Sequence, residues 1–164
     1  MDLNLNQLKT EIYDNCSFEI SNFTIESEGK EYYASRFQLN GLNILSRNAK
    51  ITPKKVGQFV TFWKRNEHGI TAPFETSDCI DFYIVNVRTE NHFGQFVFPK
   101  EILIKRGIIS TVKKEGKRGF LVYPKWDIPN NKHAEQTQKW QLDYFYEINT
   151  TTDLKKVSEL CGVG

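Results

Sequence analysis

The most pointed chemistry to look for in this 164-residue chain is a carboxylate followed two positions later by a lysine. Metal-dependent nucleases use an Asp with a Glu or second Asp to hold Mg²⁺, and a Lys to position or activate water. On an extended strand, [D/E]-x-K places carboxylate and ammonium on the same face. Three such triplets occur: Glu28-Gly29-Lys30, Glu115-Gly116-Lys117 and Asp153-Leu154-Lys155. The first two contain glycine in polar turns and the third opens the C-terminal segment. None follows an apolar run, so all three read as solvated. The segment of the right shape is "FYIVNVR", whose last three residues, Asn86-Val87-Arg88, stand where the carboxylate-x-lysine would fall. Asn brings no charge to a metal, and Arg is too basic to give up a proton. A nuclease centre built here is dead or badly crippled; the plainer alternative is that Asn86 and Arg88 finish a strand. An active centre would instead draw on Asp78, Asp81 or Glu90, with Asp78 and Asp81 approaching Asn86 in space.

Other catalytic signatures are missing. There is no phosphate-binding G-x-x-x-x-G-K-[ST], no G-x-S-x-G and no H-E-x-x-H. His68, His92 and His133 stand singly, without a Cys or His at metal-ligand spacing. Cys79 and His92 make only a weak nucleophile–base match. No metal or cofactor is expected. Cys16, Cys79 and Cys161 are odd in number and widely separated, which fits reduced thiols. The N-terminus lacks the basic and apolar regions of a signal peptide, and nothing approaches the roughly 20 apolar residues of a membrane helix. A cytoplasmic protein is expected.

What remains is a pattern of cations and aromatic rings. Residues 1–35 hold seven acidic and two basic side chains, residues 36–139 nine acidic and 18 basic, and residues 140–164 four acidic and two basic. An internal basic segment in an otherwise acidic chain is what the footprint of an anionic partner would look like; the plainer reading, and the better one for any single residue, is that the cations solvate strand ends and turns. In "ITPKKVGQFVTFWKR" (51–65) an apolar core is bracketed by cations. The candidate phosphate contacts are Lys50, Lys54, Lys55, Lys64, Arg65, Arg88, Lys100, Lys117 and Arg118. Trp63, Phe93 and Trp126 lie nearest to basic residues and are candidates for stacking on unpaired bases, with Trp63 and Trp126 taken as site residues. Phe59, Phe62 and Phe96 read as core, and Lys105 and Arg106 as cations closing a helix C-terminus.

The elements that must position these residues are legible in part. Leu5, Leu8 and Ile12 predict a short amphipathic helix ending near Asn15. In "RFQLNGLNIL" the Asn40-Gly41 pair predicts a type I′ hairpin with Leu39 opposite Leu42 and Phe37 opposite Ile44. "GQFVTFWKR" (57–65), "IDFYIVNVR" (80–88) and "FGQFVF" (93–98) read as strands covered on both faces, with 65–73 a polar loop between the first two. Pro99 opens a helix that Gly107 ends, and 119–124 is another strand. Helices are expected over 132–148, with Ala134, Trp140, Tyr144 and Ile148 on one side, and over 152–161. The sum is one domain over 1–164 of α/β class, bordering on α+β, with a mixed sheet flanked by helices.

Taken together, "AKITPKKVGQFVTFWKR", "DFYIVNVR", "NHFGQFVFPK", "GKRGFLVYPKWD" and "TQKWQLDYF" resemble the MepB-like family of bacterial proteins, from about Phe37 to Ile148. Lys125 departs from the family pattern, standing where a second proline is expected. The resemblance implies a restriction-endonuclease-like, PD-(D/E)XK-related fold that has lost its nuclease residues, in agreement with Asn86-Val87-Arg88. The function expected is non-catalytic binding of single-stranded DNA or RNA in preference to duplex. The competing readings are a protein-interaction or small-ligand module and, behind it, an active metal-dependent nuclease.

Overall fold

The computed structural model describes residues 1–162. Helix α1 (Leu3–Leu8) continues through a widened turn at Lys9–Tyr13 and a tight one at Asp14–Cys16. Leu5, Leu8 and Ile12 are buried, as their spacing predicts. Strand β1 (Ile20–Ile25) leads to the hairpin of β2 (Ser35–Leu39) and β3 (Leu42–Asn48). Asn40 and Gly41 both take positive φ, 50° and 83°, and the register is Leu39 to Leu42 and Phe37 to Ile44, as expected. There follow β4 (Lys50–Ile51), β5 (Gln58–Thr61), β6 (Trp63–Arg65), β7 (Thr71–Pro73), β8 (Phe82–Arg88) and β9 (Phe93–Pro99). The chain continues with α2 (Lys100–Lys105), β10 (Gly119–Val122), α3 (Lys132–Gln141), β11 (Phe145–Glu147) and α4 (Leu154–Leu160).

The main sheet has six strands in the order β1-β2-β3-β8-β9-β11. Its pairings are antiparallel except β3 with β8, so the sheet is mixed and flanked by helices, as expected. A parallel pair needs a crossover. The crossover from β3 to β8 carries β4 to β7, which together with the later β10 supply a second layer: the three-stranded sheet β10-β5-β4 and the ribbon β6-β7. One face of the main sheet (Leu45, Tyr83, Val85, Phe96, Phe98) packs on Val60, Phe62, Phe120 and Leu103. The other (Phe37, Ile44, Ile84, Val97) packs on Leu5 and Leu8 of α1 and Val157 of α4.

Three expectations are corrected. The strand over 57–65 breaks at Phe62, whose side chain is 1% exposed and packs against Phe74, Tyr83 and Phe120 with ring centroids at 4.8, 5.0 and 5.3 Å. Its amide donates to the Arg118 carbonyl, and the two halves join different sheets. Apolar residues on alternate faces cannot distinguish one strand from two that bend about a buried ring. The loop over 65–73 contains β7, and its turn is held by the Asn66 side chain accepting from the His68 and Ile70 amides. The helix over 132–148 ends at Gln141; after a tight turn at Leu142–Tyr144, Phe145–Glu147 becomes the edge strand on β9. Phe145 and Tyr146 are buried on opposite faces, a strand requirement that outweighs helical spacing. Gly107 at φ 72° ends α2 as expected. Among the described residues, no helix is long and apolar enough to cross a membrane.

Candidate nucleic-acid interface

Asn86-Val87-Arg88 ends β8 on the side covered by α1. Asn86 is 1% exposed, donates to Asn48 Oδ1 at 2.9 Å and accepts from Gln95 Nε2 at 2.9 Å. Gln95 in turn meets the hydroxyls of Tyr13 and Tyr146, both phenols held above their ordinary range by burial. Asn48 donates at 2.7 Å to Asp2, the N-cap of α1. Arg88 donates to Asn4 Oδ1 at 2.8 Å and to Gln7 Oε1, and its guanidinium lies 3.9 Å over the Phe93 ring. The buried part of this network, Asn86 and Gln95 with the two tyrosines, carries no acid or lysine, while Asp2 and Arg88 stand half-buried at its margin and Phe93 is buried beneath Arg88.

Asp78 and Asp81 do not approach Asn86. They precede β8 while Asn86 lies near its far end, and an extended chain rising about 3.3 Å per residue puts Asp81 about 16 Å away. Cys79 and His92 are separated by the same strand. Asp78 instead accepts from Lys64 Nζ at 2.8 Å, and Glu75 from the same ammonium at 3.2 Å. Burial works against the charge on Lys64, but the hydrogen bonds it donates to Asp78 and Glu75 outweigh that and hold the ammonium above its ordinary value. Glu90 is exposed in the β8–β9 turn. Among the described residues no three His, Cys, Asp or Glu side chains converge as a cation site.

The remaining cations divide by partner. Lys64 is neutralised as described, and Lys100 donates to the Asp78 carbonyl. Arg65 lies 3.6 Å from Glu28 and 5.5 Å over the Trp63 ring, Arg118 lies 3.1 Å from Glu115, and Lys50 lies 3.6 Å from Glu31. One face of Trp126 is occupied by His92, stacked at 4.8 Å and itself held 2.7 Å from Glu147. Lys54, Lys55 and Lys117 keep their ammonium groups free of carboxylates among the described residues.

Those three lysines border two neighbouring hollows of the small sheet, Lys54 and Lys55 the one and Lys117 the other. The Phe59 ring lies across Gly119, where a Cβ would sit 2.5 Å from Phe59 Cζ, so the glycine is what lets the ring lie flat. Leu121 is the cross-strand partner of Phe59, and Tyr32 meets Phe59 edge-on at 6.4 Å. A hollow of about 530 Å³ opens here, with Pro53, Phe59 and Leu121 for its floor and Lys54 and Lys55 on its rim. Across β10 lies a second hollow, of about 410 Å³, between β10 and α3, with Lys117, Arg106 and His133 among its walls. Phe120 and Leu121 border both.

Comparison with known proteins places this geometry in a family. The MepB-like family model matches residues 26–147. The crystal structure of MepB superposes with a TM-score of 0.79 at 36% identity, covering 92% of this chain and all of MepB. The chain belongs to the MepB-like family. A bacterial homing endonuclease also aligns, at 14% identity and a TM-score of 0.41, over 84% of this chain and 82% of its own; a likeness that faint decides neither fold nor activity. No curated protein matches significantly. The MepB-like segment contains β2 to β11 and the whole groove, and leaves out α1 and α4.

Sequence reasoning missed four residues of this MepB-like surface. Arg106 was assigned to a helix end, and it is indeed the C-cap of α2, yet its guanidinium lies 5.1 Å over the Trp140 ring at the second hollow. Trp140 was placed on a helix face without a role. Phe59 was assigned to the core and is half-buried on the outer face. Tyr32 sits in the acidic N-terminal region beside Glu31, and the cation over its ring, Lys50 at 4.8 Å, lies 18 positions on in the chain.

Proposed function

We propose that this protein binds single-stranded nucleic acid, DNA or RNA, without cleaving it, across the outer face of the small sheet. The observation that carries the reading is the flanking of one apolar and aromatic floor by Lys54 and Lys55 on one side of β10 and by Lys117 and Arg106 on the other. Cations so placed track a phosphate backbone, while Phe59 and Tyr32 offer ring surface to bases. Stacking is worth about 1–3 kcal/mol per base, and it is open to unpaired bases but not to those stacked inside a duplex. The neutral Asn86 network supports the non-catalytic half of the reading, because the strand end that would carry the acid and lysine carries neither.

Fluorescence anisotropy with labelled single-stranded DNA, RNA and duplex DNA tests it, at two salt concentrations, with and without Mg²⁺, followed by gels of the probes. Four phosphate contacts should give a log–log salt slope of about −3 for single strands, with intact probes and weaker duplex binding. Absence of binding at low salt would overturn the reading in favour of a protein-partner or small-ligand module. Mg²⁺-dependent cleavage would overturn its non-catalytic half.

A further inference from the structure

The two hollows beside β10 differ in a way that assigns them different parts of a strand. The Lys54–Lys55 hollow is floored almost wholly by apolar atoms. The α3 hollow has Arg106, Lys117 and His133 among its lining residues and no carboxylate. It is also closed at one end. Gln141 accepts from the Tyr123 amide at 2.8 Å and donates to the Leu121 carbonyl at 3.0 Å, so its carboxamide stitches α3 to the free edge of β10. A strand laid over Phe59 and Leu121 toward α3 cannot thread between α3 and β10 at that point.

Resting on the strand-binding reading above, we propose that the α3–β10 cleft receives the phosphorylated end of a single strand. An internal phosphodiester carries one charge, whereas a terminal phosphomonoester carries about −1.5 to −2 at neutral pH and three acceptor oxygens. Two cations facing one cleft suit the second group better than the first. Arg106 is held in place by the Trp140 ring beneath it, so less of its freedom is lost when it forms a forked pair with phosphate oxygens. The volume, about 410 Å³, lies in the range of small-ligand pockets.

The test compares oligonucleotides of one sequence with a 5′-phosphate, a 3′-phosphate or hydroxyls at both ends, together with a circular single strand. One phosphorylated form should bind about tenfold more tightly than the dihydroxyl form, and which end does so gives the polarity. Arg106→Gln and Lys117→Gln should abolish that preference, whereas Lys54→Gln with Lys55→Gln should weaken every linear probe alike. Thermal melts confirm that each variant is folded. Equal affinity for phosphorylated, dihydroxyl and circular strands overturns the proposal and leaves the strand-binding reading intact. If no oligonucleotide binds, AMP and adenosine are titrated with the Trp140 indole N–H followed by NMR. A shift with AMP alone, lost in Arg106→Gln, keeps the cleft as a phosphomonoester site and removes the strand reading; no shift removes both.

Discussion

The far end of β8 and the outer face of the small sheet both gather residues that the sequence marks as chemical, and they use them in opposite ways. At the end of β8, Asn86, Gln95, Asn48 and Arg88 all find partners within the protein, because α1 lies over them. Beside β10, Lys54, Lys55 and Lys117 find no carboxylate among the described residues, because they stand exposed at the edges of two open hollows. Residue type does not separate the two places, since Arg88 and Lys117 are equally cationic. A covering helix turns one cation into structure, and its absence leaves the other available to a partner.

The sharpest way to break this contrast is Gln95→Leu. It keeps volume but strips partners from Asn86 and from the Tyr13 and Tyr146 hydroxyls. At about 1–3 kcal/mol for each orphaned buried group, the loss should be about 4 kcal/mol. The melting temperature should fall by about 10 °C or more. Nucleic-acid affinity of the folded protein should stay unchanged, and weaker binding at full foldedness would contradict the division. Arg88→Ala comes next, costing about 2 kcal/mol in urea unfolding by freeing Asn4 and Gln7 and uncovering Phe93, again without loss of affinity. A reduced salt slope in Arg88→Ala would place phosphate at the far end of β8 after all. The double variant Lys54→Gln, Lys55→Gln should do the reverse. Its melt is unchanged, its affinity at low salt falls about tenfold, and its salt slope shrinks by about 1.4.

What the sequence could show depended on how local the cause was. Asn40-Gly41 fixes its hairpin from turn chemistry alone, and the apolar runs of β8 and β9 announce central strands. The repeated GQFV even carries its environment with it. Gly57 lies under the Tyr123 ring and Gly94 under the Phe145 ring, while Gln58 and Gln95 are 1% and 0% exposed. The two copies part company at the next two details: Phe96 is buried in the core whereas Phe59 is half-buried on the outer face, and Gln95 is fully bonded whereas Gln58 Oε1 has no partner among the described residues. The site was harder to see because pairing decides which cations are free. Lys64 is claimed by Asp78, 14 positions away, Arg65 by Glu28, and one face of Trp126 by His92. Phe145–Glu147 looked helical because the strand that captures it, β9, lies far back in the chain. Such contacts leave no trace in spacing.

The smallest expected effect concerns Asp127, on the loop beyond β10. Burial holds its carboxyl above the ordinary value, and the Gly57 backbone partly offsets that rise. Because the folded value lies above the unfolded one, the folded protein binds more protons between the two. The contribution of this group to stability is therefore greatest below the unfolded carboxylate range, near pH 4, and falls as pH rises through the folded value. Asp127→Asn removes the charge and keeps the size and shape of the side chain. Urea unfolding from pH 3 to 7 should show that slope weakened, with the variant at least as stable as the parent at pH 7. Exposure of the group keeps the difference below about 1 kcal/mol. Binding should be unaltered or slightly stronger, since the side chain keeps its shape and a negative charge is gone. Weaker binding would mean that the groove depends on that carboxylate itself.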